Sequence, residues 1–251
     1  MGQPLSGRVA VVTGASRGLG RAIAVALAEA GADVAVAARA KAELEETAHQ
    51  AGRHGVRTLA LPTDVASYPS VERLMAQAAG TLGRLDIVVN NAGIARVAPL
   101  AEASLEDWQA ILDVNVSGVF HGCRAAARHL IGQKAGKIIN LASVLAAVAL
   151  PGYTMYAATK GAVIALTRTL AVEWARHNIQ VNAIAPGWFV TDMNEAAFAD
   201  PAIHARLTRD IPARRTGRLQ EIGPLAVYLA SSGSDFMTGQ TIFLDGGQTV
   251  A

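Results

Sequence analysis

Tyr156 and Lys160 lie four residues apart in a stretch, 154–177, that reads as one long helix, so their side chains share a face. A free tyrosine ionises at about pH 10, too high for a base at neutrality. A neighbouring ammonium favours the phenolate and lowers that value. The pair is thus a candidate donor of a proton to a carbonyl, or acceptor of one from an alcohol. Ser143 follows the apolar run 137–141 and supplies a hydroxyl able to hydrogen-bond the same oxygen. Tyr153 has Ala157 at its +4 position, so it is expected to line a pocket rather than to exchange protons. A Tyr–Lys pair at helical spacing is common on exposed helices. The argument for chemistry comes from its combination with Ser143 and a glycine-rich loop.

That loop is residues 13–20, TGASRGLG, placed after a β-branched run and opening a helix. Gly14 permits a tight turn. Gly18 and Gly20, flanking Leu19, let backbone approach a pyrophosphate at the helix N-terminus. The spacing is G-x-x-x-G-x-G rather than G-x-G-x-x-G. Gly14-Ala15-Ser16-Arg17-Gly18 also fits G-x-S-x-G, the strand-to-helix elbow of serine hydrolases. Against that reading, the elbow would follow the first strand, with no earlier strand to supply an oxyanion loop. Ala38 stands where an acid would clamp the ribose 2′-hydroxyl of NAD, and Arg39 follows it. Arg39 and Arg17 together suit a 2′-phosphate, so the expected cofactor is NADP(H), with NAD the alternative.

The elements that must position these residues alternate along the chain. Short apolar runs at 9–13, 34–38, 58–61, 85–90, 137–141, 179–184 and 241–244 read as strands. Helices are expected over 18–30, 41–53, 69–82, 105–113 (Ser104 as N-cap), through about 131, over 154–177 and over 221–230. Apolar strands alternating with helices predict an α/β fold: a Rossmann-type, doubly wound parallel sheet of about seven strands with helices on both faces. No linker or repeat interrupts 1–251, so one domain is expected. The irregular stretch 186–218, with three prolines and an arginine cluster, is the candidate substrate lid.

Composition removes other classes. Of 251 residues, 51% are hydrophobic and 17% charged, which excludes a disordered chain. The net charge of +2 comes from no basic tract, so a nucleic-acid partner has no electrostatic basis. The one cysteine, Cys123, excludes an intrachain disulfide and reads as a packed helix residue in a cytoplasmic protein. The six histidines show no metal-ligand spacing, so no metal is expected. Residues 138–159 carry no charge, yet Asn140, Ser143, Pro151, Gly152 and Tyr153 break them, so they do not read as a membrane span. Gly2 and Ser6 match a loose myristoylation pattern, read as a short leader before the first strand.

Taken together, TGASRGLG at 13–20, Asp64-Val65, NNAG at 90–93, Asn115, Ser143, Tyr156-Ala-Ala-Thr-Lys160 and Pro186-Gly187 resemble the short-chain dehydrogenase/reductase family over nearly the whole chain. The resemblance implies a nicotinamide-dependent oxidoreductase that interconverts a secondary alcohol and a ketone. It implies that Lys160 also holds the nicotinamide ribose, and that Asn115 anchors a water linking Lys160 to solvent. Gly14, Ser16, Arg17, Gly18, Leu19, Gly20 and Arg39 would bind cofactor. So would Asp64 and Val65 at the adenine, and Asn90, Asn91, Ala92 and Gly93 near the adenosine ribose and sheet edge. Pro186, Gly187 and Thr191 would lie by the nicotinamide. The substrate pocket is expected from Arg96, Val144, Leu145, Tyr153, Trp188 and Phe189, with Ala149, Leu150, Asp192 and Asn194 nearby. Arg96 is a candidate carboxylate anchor.

Segments 135–140, 175–182 and 185–194 are similar to gluconate 5-dehydrogenases. Carrier-protein-linked 3-oxoacyl reductases and broad hydrophobic ketone reductases share the same motifs. A non-catalytic dinucleotide sensor is the alternative of another class, and a homotetramer pairing helices near 115–131 and 154–177 is the expected assembly.

Overall fold

A computed structural model describes residues 3–192 and 194–251; Gly2 of the myristoylation pattern lies outside them. Seven strands form one sheet: β1 (Val9–Thr13), β2 (Asp33–Ala38), β3 (Thr58–Pro62), β4 (Ile87–Asn90), β5 (Gly136–Leu141), β6 (Ile179–Pro186) and β7 (Thr241–Leu244). Their spatial order is β3-β2-β1-β4-β5-β6-β7, and all pairs are parallel. The order reverses between β1 and β4, which opens a crevice at the strands' carboxyl ends.

Nine helices occur among the described residues: α1 (Gly18–Glu29), α2 (Lys41–Gly52), α3 (Tyr68–Leu82), α4 (Leu105–Leu112), α5 (Gly118–Gln133), α6 (Thr154–Trp174), α7 (Glu195–Phe198), α8 (Pro201–Arg209) and α9 (Gly223–Ala230), of which α1, α2, α3, α5, α6 and α9 pack on the sheet. The alternation of strand side chains divides the core in two. Val9 and Val11 face a layer with Leu74, Leu130 and Val163 from α3, α5 and α6. Ala10 and Val12 face Ile23, Leu44 and Ala226 from α1, α2 and α9. The expected doubly wound architecture is present, with helices on both faces. Among the described residues no helix is long and apolar enough to cross a membrane.

Several boundaries follow local chemistry. The Ser104 hydroxyl accepts from the Asp107 amide at 3.0 Å and starts α4 as expected. Gly83 ends α3 in the left-handed region, at φ 90°. β3 and β6 include their prolines rather than stopping before them, because proline's fixed φ suits a strand end. The helix at 105–113 and the one after it are continuous. A π turn over Asp113–Ser117 joins α4 to α5 and carries Asn115.

Asn90 departs from its expected place. Its amide nitrogen donates to Asn140 Oδ1 at 2.9 Å and contacts Cys123 Sγ at 3.4 Å, inside the core rather than at a ribose. Burial pushes the Cys123 thiol up to about 12. Asn140 in turn donates to Thr167 at 2.9 Å, so this polar chain ties β4, β5 and α6. A Cβ on Gly122 would lie 1.9 Å from Asn90 Oδ1. Gly122→Ala is therefore expected to destabilise the protein by about 1–3 kcal/mol in chemical denaturation. An unchanged midpoint would show that Asn90 can move aside.

Candidate active site

A cleft of about 740 Å³ runs along the carboxyl ends of the central strands, from Arg39 at one end to Trp188 at the other. At its floor is the loop between β1 and α1. Gly14 has φ +64°, and a Cβ there would lie 2.7 Å from Ala92 Cα. A Cβ on Gly20 would lie 2.3 Å from the Gly14 carbonyl oxygen. The loop is thus packed hard against the chain leaving β4. Asn91 locks the two together, donating from Nδ2 to the carbonyls of Thr13 at 2.9 Å and Gly14 at 3.0 Å. No side chain caps the N-terminus of α1, so its first N–H groups remain for an anionic ligand. The cradle fits a dinucleotide pyrophosphate.

Ser16, Arg17, Gly18, Leu19, Arg39, Asp64, Val65, Ala92, Gly93, Pro186, Gly187 and Thr191 all line this cleft. Asp64 Oδ1 accepts from the Ala66 amide at 3.0 Å, which holds the turn after β3. Arg17 reaches across the mouth and pairs with Asp192 at 2.8 Å. Among the described residues, no histidine lines the cleft beside Ser16, the elbow serine of the hydrolase alternative. Ala40, Glu43 and Thr63 line the Arg39 end without having been expected; Glu43 sits in the first turn of α2.

Ser143, Tyr156 and Lys160 meet midway along the cleft. Ser143 lies two residues past β5, its hydroxyl accepting from the Leu145 amide at 3.2 Å. The Lys160 ammonium donates to the Leu141 carbonyl at 2.7 Å and lies 5.5 Å from the centre of the Tyr156 ring. Burial lowers Lys160 to about 8. Tyr156 corrects the expectation of a lowered phenol. Burial of its hydroxyl raises it to about 12, and the hydrogen bond with Ser143 pulls the other way without overcoming that.

Asn115 is fully buried and does not line the cleft. Its Oδ1 accepts from the Ile94 amide at 2.8 Å, while Nδ2 donates to the Ile94 carbonyl at 2.9 Å and to Thr159 at 3.1 Å. It therefore fastens the segment after Gly93 to α6.

The substrate end is largely apolar. Val144, Leu145, Tyr153, Trp188 and Phe189 line the cleft, joined by Ile94 and Val97. Ala149 and Leu150 are not among the residues lining it. Tyr153 stands edge-on to both Tyr156 and Trp188, with ring centres 6.4 and 6.3 Å apart. Arg96 is at the rim, but its Nε already donates to Asp107 at 3.1 Å.

Known proteins are similar to this chain over nearly its whole length. A family model described as enoyl-(acyl carrier protein) reductase matches residues 14–249. Gluconate 5-dehydrogenase of Gluconobacter oxydans is 41% identical over 247 residues, covering 98% of this chain and 96% of that protein. The chain belongs to the short-chain dehydrogenase/reductase family. It is an oxidoreductase of that family, acting on hydroxyl or ketone groups. 3beta-hydroxysteroid dehydrogenase 1 of Eggerthella lenta is likewise 41% identical, over 98% of this chain and 95% of that protein. A crystal structure of gluconate 5-dehydrogenase from Burkholderia cenocepacia, in complex with NADP and tartrate, superposes with a TM-score of 0.95 at 42% identity. That match covers 99% of this chain and 98% of the other.

Proposed function

We propose that this short-chain dehydrogenase/reductase uses NADP(H) to interconvert a secondary alcohol and a ketone on a sugar acid of the gluconate/5-ketogluconate type. The observation that carries the reaction is the meeting of Ser143, Tyr156 and Lys160 in the cleft that continues from the glycine cradle. The sugar acid rests on the gluconate 5-dehydrogenases to which the chain is similar. NADP rests on the bound cofactor of the Burkholderia enzyme and on Arg39 beside Ala38, with Arg17 lining the same cleft.

When bound, the nicotinamide supplies or takes up the hydride. The chain's own residues handle the oxygen. Ser143 donates a hydrogen bond to the substrate oxygen and holds it beside Tyr156. Tyr156, kept protonated by its buried setting, gives its proton to that oxygen as a ketone is reduced, and recovers it in the reverse direction. Lys160 places a cation next to the ring and favours the transient phenolate. It also holds the nicotinamide ribose. Asn115 anchors a water through which Lys160 exchanges protons with solvent. The π turn supports this role, since it takes backbone groups out of the α-helical ladder there. Asp64 and Val65 bind the adenine, and Thr191 binds at the nicotinamide end.

A second reading is a reductase of bulky apolar ketones. The apolar wall of Val144, Leu145, Tyr153, Trp188 and Phe189 favours it. Purified protein, NADPH and a panel of 5-ketogluconate, cyclic ketones and an acetoacetyl thioester separate the readings. Oxidation of NADPH by the sugar acid alone upholds the first, and by cyclic ketones alone the second.

Residues 186–218 form the lid of a single nucleotide-binding domain spanning 1–251. The assembly is a cytoplasmic homotetramer. Exposed Phe120 and Val172, on α5 and α6, suit its packing faces.

Arg39→Asp is expected to lower NADPH affinity relative to NADH by about ten-fold or more, by removing a cation from the 2′-phosphate and adding an anion. Fluorescence titration with both dinucleotides measures it. An unchanged ratio would assign the phosphate to Arg17 alone.

A further inference from the structure

Trp188 and Phe189 have a cavity on each side. They line the substrate end of the cleft, and they also line a second cavity of about 190 Å³. Gly217 lines the second cavity and not the cleft, so it stands behind the Phe189 ring. Backbone contacts fix this seating. The Gly217 amide donates to the Trp188 carbonyl at 2.8 Å, and Phe189 and Gly217 pair as an isolated parallel bridge. From the lid side, Asn194 Nδ2 donates to the Phe189 carbonyl at 2.9 Å. Gly217 is held by its neighbours in turn. Arg215 makes two bonds of 2.8 Å to Glu221, and the Arg218 amide donates to Glu221 at 2.7 Å.

A Cβ on Gly217 would lie 2.4 Å from Phe189 Cε1 and 2.5 Å from Cζ, far inside van der Waals contact. Gly217 is not among the glycines with positive φ. The position therefore requires the missing side chain and not an unusual backbone. Phe189 is 4% exposed and lines both cavities, so these are the spaces beside its ring.

We infer that Gly217 is a positioning residue that sets the depth of the substrate end. By letting the Phe189 ring lie back, it determines how bulky a group beside the reacting carbon the cleft accepts. The inference deepens the carbonyl–alcohol reading of this site and rests on it. A side chain at 217 lies on the far side of the ring from the cleft, so it drives the ring towards the substrate. Ketones with large substituents lose room, and small ones are little affected.

The test compares wild type, Gly217→Ala, Phe189→Leu and the double variant, using NADPH with acetone, 5-ketogluconate, cyclohexanone and 1-tetralone. Gly217→Ala is expected to raise KM for 1-tetralone by about ten-fold or more, and to leave acetone within about two-fold. The NADPH dissociation constant should not move. Adding Phe189→Leu, which shortens the displaced side chain, should restore 1-tetralone. Equal changes for all ketones, no change for any, or failure of the double variant to restore would overturn the inference. If Gly217→Ala does not fold, Phe189→Leu alone decides: KM falls for 1-tetralone and not for acetone if the ring limits depth. If the wild type reduces none of the ketones, the proposed reaction fails, and a crystal structure of Gly217→Ala still decides the geometry. A ring moved towards Tyr153 supports the inference, and an unmoved ring overturns it.

Discussion

Tyr156→Phe is expected to lower kcat for ketone reduction by about 10³-fold while leaving the NADPH dissociation constant within about two-fold. The substitution removes one oxygen and keeps the ring. The edge-on contact with Tyr153, at 6.4 Å between centres, remains, and so does the packing of α6. Ser143 keeps its bond from the Leu145 amide and still orients the substrate oxygen. What is lost is the proton donor. Because burial holds the native phenol near 12, it is fully protonated at neutral pH and suited to give its proton to a nascent alkoxide. Steady-state kinetics with a fluorescence titration of NADPH separates this from a binding defect. A change in affinity with kcat preserved would mean that Tyr156 holds the cofactor and another group moves the proton.

Lys160→Met carries the second large effect, and its two consequences run in opposite directions. Turnover is expected to fall by about 10²-fold or more, since the phenolate loses its nearest cation. Stability at pH 7 is expected to rise. The folded value of Lys160 is about 8 against a free value of 10.5, so the fold disfavours the charged form. Between those two values the unfolded chain binds more protons, and native stability therefore rises with pH. Below about 8 the full penalty of the buried cation is present. Tyr156 and Cys123 act oppositely, but only above their free values of 10 and 9, which leaves the window from 8 to 9 to the lysine. Methionine fills similar space without the charge. The variant should be more stable than wild type at pH 7 by about 1–3 kcal/mol, after allowing for the lost bond to Leu141. It should also lose the rise between pH 8 and 9. Urea unfolding at several pH values reads both. A less stable variant, or an unchanged pH profile, would show that the ammonium is well solvated in the native state.

The parts of this site that were legible in the sequence depend on short spacings. Tyr156 and Lys160 share a helix face at i and i+4, the glycine loop joins β1 to α1, and Ser104 caps α4 through a residue three positions on. The strands were legible because a sheet covered on both faces needs continuous apolar runs. What escaped depends on contacts between distant segments. Asn90 turns into the core because Asn140 and Cys123 meet it there, 50 and 33 residues away in sequence. Asn115 sits in a π turn that no local pattern announces. Gly217 reads as a plain loop glycine until Phe189 is laid against it. Tyr156 shows the same limit in its electrostatics. Spacing puts an ammonium near the phenol, but only packing reveals that burial raises it against the pull of the Ser143 hydrogen bond.

The account turns on Tyr156 as the residue that moves a proton to a ketone oxygen as NADPH is consumed. The most direct measurement follows the loss of nicotinamide absorbance when wild type and Tyr156→Phe meet NADPH and the ketone panel under identical conditions. The wild type should consume NADPH mole for mole with alcohol formed, and the variant should bind NADPH equally well yet consume almost none. Equal consumption by the two proteins, or none by the wild type with any ketone, would contradict it.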